Sequence, residues 1–298
     1  MEVGLLMLGG GIVAGVFGSL LGLGGGILIV PLLTIGFGLP VREAVGISLI
    51  CVIMTSGASA AVFLERDVAN LRLGMLLELF TAIGAVVGGA VAFLIDQRYL
   101  AGMLAILMVY VAVTMLRSAT RPAAAPAEAV ADTAEPLDAA GAASSPASGV
   151  PSSATPAAPP GRVPFIDRLS RPGYRVRRLK LGAVGSVGAG ILSALLGIGG
   201  GVVKVPLMHL LMGVPLRVST ATSNLMIGIT ASTSAIVYLL RGGIAPYAAG
   251  PTAVGVFIGA TIGSRSAHRV DLRVLRLLFV VVLLYTAYEM SRQALGQA

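Results

Sequence analysis

Two stretches decide how this chain folds: GLGGGILIVP, residues Gly22–Pro31, and GIGGGVVKVP, residues Gly197–Pro206. Each sets a glycine-rich run inside a long apolar segment and closes on Val-Pro. They differ in kind at one place, where Lys204 stands opposite Ile29. The motifs lie 175 positions apart, and the offset continues without a gap. Gly15 falls on Gly190, Pro40 on Pro215, Ser48 on Ser223, Thr55 on Thr230, Gly84 on Gly259 and Tyr110 on Tyr285. The chain is therefore an internal duplication of about 110 residues per unit, a plan common among membrane transporters.

Composition fixes the solvent. Of 298 residues, 56% are hydrophobic and 11% charged, against about 25% charged in a soluble domain. Several apolar stretches reach the roughly 20 residues that a helix needs to cross a bilayer core. The reading is an all-α polytopic membrane protein; a β-barrel would show short alternating segments. Ordinary spans are expected at 43–64, 73–95, 99–116, 218–240, 246–264 and 272–290, with glycine-broken stretches at 5–39 and 181–213. Residues 5–21 lack a preceding Lys or Arg and recur in mid-chain, so they read as part of the fold rather than as a signal peptide. The net charge of +8 sits in loops and speaks to orientation. With no basic, aromatic-bearing soluble domain, nucleic acid is not an expected partner. One cysteine, Cys51, and two distant histidines predict no metal site, and no cofactor motif or familiar catalytic motif is present. An enzyme is not expected.

Three regions follow: a first transmembrane repeat, 1–117; a linker, 118–178; and a second repeat, 179–298. The linker is rich in Ala, Pro and Ser and is expected to be disordered, because it has too little apolar surface to offset its ordering entropy. Its basic C-terminal flank runs into RLSRPGYRVRRLK (Arg168–Lys180), which reads as a cytoplasmic, topology-setting segment. Loop charge also bears on the broken stretches. If each crossed once, the halves would be parallel and Arg217, Arg265, Arg269, Arg273 and Arg276 would face outside. If each entered and returned as a re-entrant hairpin, the halves would be inverted, and only Arg42, Arg98, Arg241 and Arg292 would lie outside. The positive-inside tendency favours inverted repeats, each a glycine-broken hairpin plus three transmembrane helices.

Glycine breaks at membrane depth need protein or a water-filled cavity around them. Half-helices starting after the breaks would aim backbone N–H groups at a central site, which suits an anion. The backbone candidates are Gly24, Gly25 and Gly26 with Gly199, Gly200 and Gly201. Lys204 is the sharpest side chain, since an intramembrane lysine is costly and usually functional; the bland alternative is a structural pair with a buried acid, of which Glu78 is the most central. The segment STATSNL (Ser219–Leu225) adds Thr222, Ser223 and Asn224, and Ser219 or Thr220 reads as an N-cap. Ser48 is the first-half counterpart of Ser223. His209, five residues after Lys204, is a candidate donor or proton relay. Thr55, Ser56, Ser59, Thr230 and Ser234 are expected mostly to bond to their own helix. Tyr110 and Tyr285 are expected mid-span with partners for their hydroxyls. The polar residues gather in the second copy, so the duplication reads as functionally asymmetric.

At these residues the chain resembles the TauE/SafE sulfite exporter family, also called the TSUP family of membrane permeases. The resemblance rests on the two openings GLGGGILIVPLL and GIGGGVVKVPLM, the stretches PVREAVGISL and PLRVSTATSNL, and the later IGAVVGG and IGATIGS. It spans both halves and leaves out the linker. It implies a secondary transporter in the cell (inner) membrane for a small sulfur-containing anion: sulfite, a sulfonate, sulfoacetate or thiosulfate. Alternating access at a central site between the repeats would move it, with a proton or sodium ion as the coupling partner. A small-anion channel and a membrane scaffold that uses its linker are the alternatives. Oligomeric state is not legible.

Overall fold

The computed structural model describes residues 2–20, 25–65, 69–119, 176, 178–266 and 272–296. The interior linker lies outside the described residues, as do its expected disorder, most of the basic flank, and Gly24. The first half contributes α1 (Glu2–Leu20), α2 (Gly26–Pro31, continued by wider π turns at Leu32–Gly36), α3 (Val41–Glu65), α4 (Leu71–Ala92) and α5 (Gln97–Ala119). The second contributes α6 (Leu179–Leu196), α7 (Gly201–Pro206, continued at Leu207–Leu211), α8 (Leu216–Leu240), α9 (Pro246–Ser266) and α10 (Leu272–Ala294). No strand occurs among the described residues. Among the described residues six helices are long and apolar enough to cross a membrane: α1, α3, α4, α5, α6 and α8.

The outer surface is apolar. Met75, Leu79 and Ile83 of α4 are exposed, as are Leu277, Val281 and Leu284 of α10. That spacing makes a continuous apolar stripe of a kind a water-soluble monomer rarely shows, and it suits lipid. Tyr110 and Tyr285 are exposed as well, which corrects the expectation of bundle partners. Their rings stand on the outward stripes of α5 and α10.

Side-chain contacts give the helix directions. Thr286 lies 3.5 Å from Met108 and Gly102 lies against Ala294, so α5 and its counterpart α10 are antiparallel. Ser56 bonds to the Asn224 carbonyl and Gly46 lies against Tyr238, so α3 and its counterpart α8 are antiparallel too. Equivalent helices thus run in opposite directions. By contrast α4 runs parallel to α8, with Asn70 at Thr222 and Gly89 at Val237. It also runs parallel to α6, with Gly84 at Val187 and Gly88 at Ile191. Helices α6 and α8 therefore point the same way, and α7 must bring the chain back between them. It spans 11 residues, Gly201–Leu211, or about 16 Å at 1.5 Å per residue, half a bilayer core.

Glycine makes the interlock possible. Helices α4 and α6 approach until a Cβ on Gly88 would stand 2.6 Å from the Ile191 carbonyl oxygen, and α1 on α9 repeats this at Gly11 and Thr252, also 2.6 Å. The first helix of each half is thus buried against the fourth helix of the other. The core beneath them includes Ile29, Val30, Leu33, Leu49, Cys51, Val52 and Leu104. Cys51 is a buried free thiol packed as a small hydrophobe.

Candidate functional site

The two hairpin turns meet inside the bundle. Gly25 (φ 72°) turns the first, and Gly197, Gly199 and Gly200 (φ 71°, 76° and 78°) turn the second. These left-handed conformations cost a glycine least. A Cβ on Gly26 would stand 2.5 Å from the Gly197 carbonyl oxygen, so backbone meets backbone at the crossing. The buried Ser48 hydroxyl lies 2.7 Å from the Gly197 carbonyl and 3.2 Å from that of Gly26. Its single proton ties the crossing together across the two halves.

Around the second turn lies a buried polar cluster. Lys204 is 1% exposed. Its Nζ donates to Glu78 Oε2 on α4 at 3.1 Å and to the Thr230 hydroxyl on α8. Thr230 Oγ1 in turn lies 2.6 Å from Glu78 Oε1 and 3.0 Å from the Met226 carbonyl. Three helices converge on this triad. Sequence pointed to Lys204 as an anion ligand and to pairing with Glu78 as its alternative; the structure forms the pair.

Beside the triad stand hydroxyls with nothing to bond. Ser186, Ser193 and Ser223 are buried without partners among the described residues. A Cβ on Gly200 would sit 3.2 Å from Ser193 Cβ and 3.5 Å from Lys204 Cε, and one on Gly201 would sit 3.8 Å from Ser223 Oγ. Two unbonded hydroxyls and the Lys204 stem therefore flank one turn. Buried hydroxyls are ordinarily satisfied, so these point to a guest that accepts hydrogen bonds. Ser48, the counterpart of Ser223, has both its acceptors. The first half places Gly18 and Gly11 where the second has Ser193 and Ser186, Ile29 where it has Lys204, and Ala253 stands opposite Glu78.

The other expected residues scatter. Three consecutive positions of α8 make different contacts. Thr222 Oγ1 accepts from the Asn70 N–H at 2.9 Å, bracing the start of α4, where the Asn70 side chain caps Leu73 N–H. Ser223 faces Gly201, and the Asn224 carbonyl accepts from Ser56 on α3 at 2.6 Å. Thr222 is thus a brace between helices, away from the turn. His209 is exposed, with Nδ1 2.9 Å from the Val214 carbonyl, and stays apart from the cluster. Neither Ser219 nor Thr220 is an N-cap: α8 begins after Pro215, and the two hydroxyls bond back to Val214 and Leu216. Thr55 and Ser234 bond to their own helix, as expected, and so do Ser232 and Thr233; Ser56 and Thr230 also reach other helices, and the Ser59 side chain lies outside the described residues. The α-helical part of α7 is only six residues, too short to develop much of a macrodipole, so side chains carry the site. Sequence reasoning gave Thr230 to its own helix and did not single out Ser193. The available signal was their place on the second-half helices opposite apolar or glycine positions, or beside the lysine.

A family-wide profile described as sulfite exporter TauE/SafE matches residues 7–290. The chain is also 23% identical over 282 residues to "Probable membrane transporter protein YunE" of Bacillus subtilis (strain 168), a match covering 92% of each chain. No solved structure matches.

Proposed function

The chain belongs to the sulfite exporter TauE/SafE family, a family of multi-pass membrane transporters, and we propose that it is a secondary transporter of a small sulfur-containing anion of the sulfite, sulfonate, sulfoacetate or thiosulfate type. One observation carries the reading. A buried ammonium, Lys204, sits beside two buried hydroxyls, Ser193 and Ser223, that have no partner. An oxyanion offers several acceptor oxygens on a compact charged centre. Ammonium and hydroxyl donors replace its hydration shell in a site that excludes water. An apolar solute would leave both hydroxyls unmet.

The antiparallel relation of α3 to α8 and of α5 to α10 supports alternating access. Each hairpin is built into one half yet packed against the other, so rocking one repeat against its partner moves one turn past the Ser48 crossing. Gly25, Gly26 and Ser48 then hold the crossing, while Gly199, Gly200, Gly201, Ser223 and Lys204 face the anion. The linker end of the bundle carries Arg72, Arg117, Arg178, Lys180 and Arg265, and the opposite end carries Arg42, Arg98, Arg241 and Arg292 among acidic Glu2, Glu43, Asp96 and Glu289. That bias supports a cytoplasmic linker in a protein of the inner or plasma membrane. An ion gradient drives transport in this account.

The test is uptake of labelled sulfite, thiosulfate, sulfoacetate and taurine into proteoliposomes by wild type and Lys204→Ala. Saturable flux of at least one compound, lost in the variant, is the expected result. No flux of any of the four rejects the substrate class.

A further inference from the structure

We propose that Glu78 is the proton-coupling residue of this transporter: the substrate anion takes the place of the Glu78 carboxylate at Lys204, and each anion enters with one proton carried on Glu78. The inference rests on the transport reading above and assigns its coupling ion.

Charge demands the exchange. Lys204 and Glu78 form a neutral pair at 3.1 Å, buried on both sides. An anion added to that pair would put two negative groups around one ammonium in a site without water, where like charges repel strongly. Protonating Glu78 removes the conflict. The ammonium then faces the anion with no competing carboxylate, and the proton stays with the carboxyl.

Thr230 can serve both states. Its oxygen accepts from Lys204, and its one proton has two acceptors within reach: Glu78 Oε1 at 2.6 Å and the Met226 carbonyl at 3.0 Å. With Glu78 ionised, the hydroxyl donates to the carboxylate. With Glu78 protonated, the hydroxyl turns its proton to Met226, and the new carboxyl O–H donates to Thr230 Oγ1. The Thr230 hydroxyl proton, and the carboxyl proton when present, each keep an acceptor either way. Lys204 meanwhile exchanges its carboxylate partner for the anion, and Ser193 and Ser223 gain the acceptor they lack.

No other titratable group touches Glu78 among the described residues. On α4 itself the nearest is Arg72, at its start. Helix α6 carries only Lys180, in its first turn. Helix α8 carries Arg217 at its start and Tyr238 near its end, and the Tyr238 hydroxyl donates to the Ala194 carbonyl. Besides Lys204, α7 and its π-turn continuation carry only His209, which is exposed. The pair is also specific to the second half, since Ile29 and Ala253 hold the equivalent places.

The experiment uses proteoliposomes with a trapped pH-sensitive dye and the membrane potential clamped by potassium and valinomycin. Thiosulfate and sulfoacetate are the probes, because both stay fully ionised near neutrality and carry no proton themselves. In wild type an inward gradient of the transported probe should acidify the lumen, one proton per anion. Above the Glu78 titration, its apparent affinity should weaken about tenfold per pH unit, the slope of a one-proton linkage. In Glu78→Gln, anion affinity should lose that slope and the dye signal should vanish. Wild-type flux with constant affinity across two pH units and no dye signal overturns the coupling and leaves the transporter standing. No wild-type flux of either probe, nor of sulfite or taurine, overturns both. Should Glu78→Gln fail to fold, the wild-type dye trace decides alone.

Discussion

Replacing Lys204 by Met separates a working ion pair from a merely structural one. Met keeps much of the stem length and removes the charge, leaving the Glu78 carboxylate buried with Thr230 alone. Two unit charges 3.1 Å apart attract by about 5 kcal/mol at an effective dielectric constant of about 20. Breaking a buried pair by removing one partner costs about 3–5 kcal/mol. At about 2–4 °C per kcal/mol for a chain of this order of size, Lys204→Met should unfold about 6–20 °C earlier. Adding Glu78→Leu removes the second charge. Replacing both members of a buried pair with apolar side chains is often neutral or stabilising, so the double variant should recover most of the loss. The assay is built in: Cys51 is the chain's one cysteine and is buried, so a thiol-reactive fluorophore reads unfolding in detergent directly. Transport should be absent from both variants. A single variant as stable as wild type would refute the electrostatic argument. A recovered double variant that still carries anion would reduce the pair to scaffolding.

Further outcomes follow from single contacts. Ser223→Ala removes a hydroxyl that bonds nothing, so the melting temperature should hold or rise, while KM should rise about 10- to 150-fold, the equivalent of the 1.5–3 kcal/mol of a hydrogen bond to a charged group. Ser48→Ala leaves the Gly197 and Gly26 carbonyls without their donor, and should cost about 1–3 kcal/mol in melting and lower the maximal rate. Gly88→Ala drives a methyl into the Ile191 backbone, 2.6 Å from its oxygen, and should cost about 1–3 kcal/mol as an overpacked contact. Gly57→Ala, with nothing within 4 Å, should melt at or above wild type.

Much of the fold was legible because the chain states it twice. The 175-residue offset aligned helices α3, α4 and α5 with α8, α9 and α10, and the arginine distribution favoured a returning hairpin before any contact was known. The shared direction of α6 and α8 requires a return through α7, but the expected hairpin of two half-helices is not what the lengths give: α1 and α6 are each long enough to cross, and only the second arms, Gly26–Gly36 and Gly201–Leu211, are short. The site was less legible, for physical reasons. A helix face is set by its neighbours, so STATSNL read as one polar patch, though its residues fan out toward α4, α7 and α3. His209 follows Lys204 closely in sequence, but five residues are more than one helical turn, so it stands off the lysine's face and is exposed. Ser186 and Ser193 passed as small packing residues, and only contact shows that they lack partners. One signal was available and unused: Lys204 against Ile29 and Glu78 against Ala253 are opposite charges that break the same repeat. Two buried departures of opposite sign belong together, because neither ion is tolerable alone in a low-dielectric interior.

The central claim is that an oxyanion sits at the second hairpin turn between Lys204, Ser193 and Ser223. Selenite, a sulfite analogue with an anomalous scatterer, tests it most directly in crystals of the protein soaked with that ion. The account predicts an anomalous peak within hydrogen-bond reach of Lys204 Nζ and Ser223 Oγ, absent from crystals of Lys204→Ala. A peak at the first-half turn beside Ile29, or only on the arginine-rich surface, with none at Lys204, would contradict it.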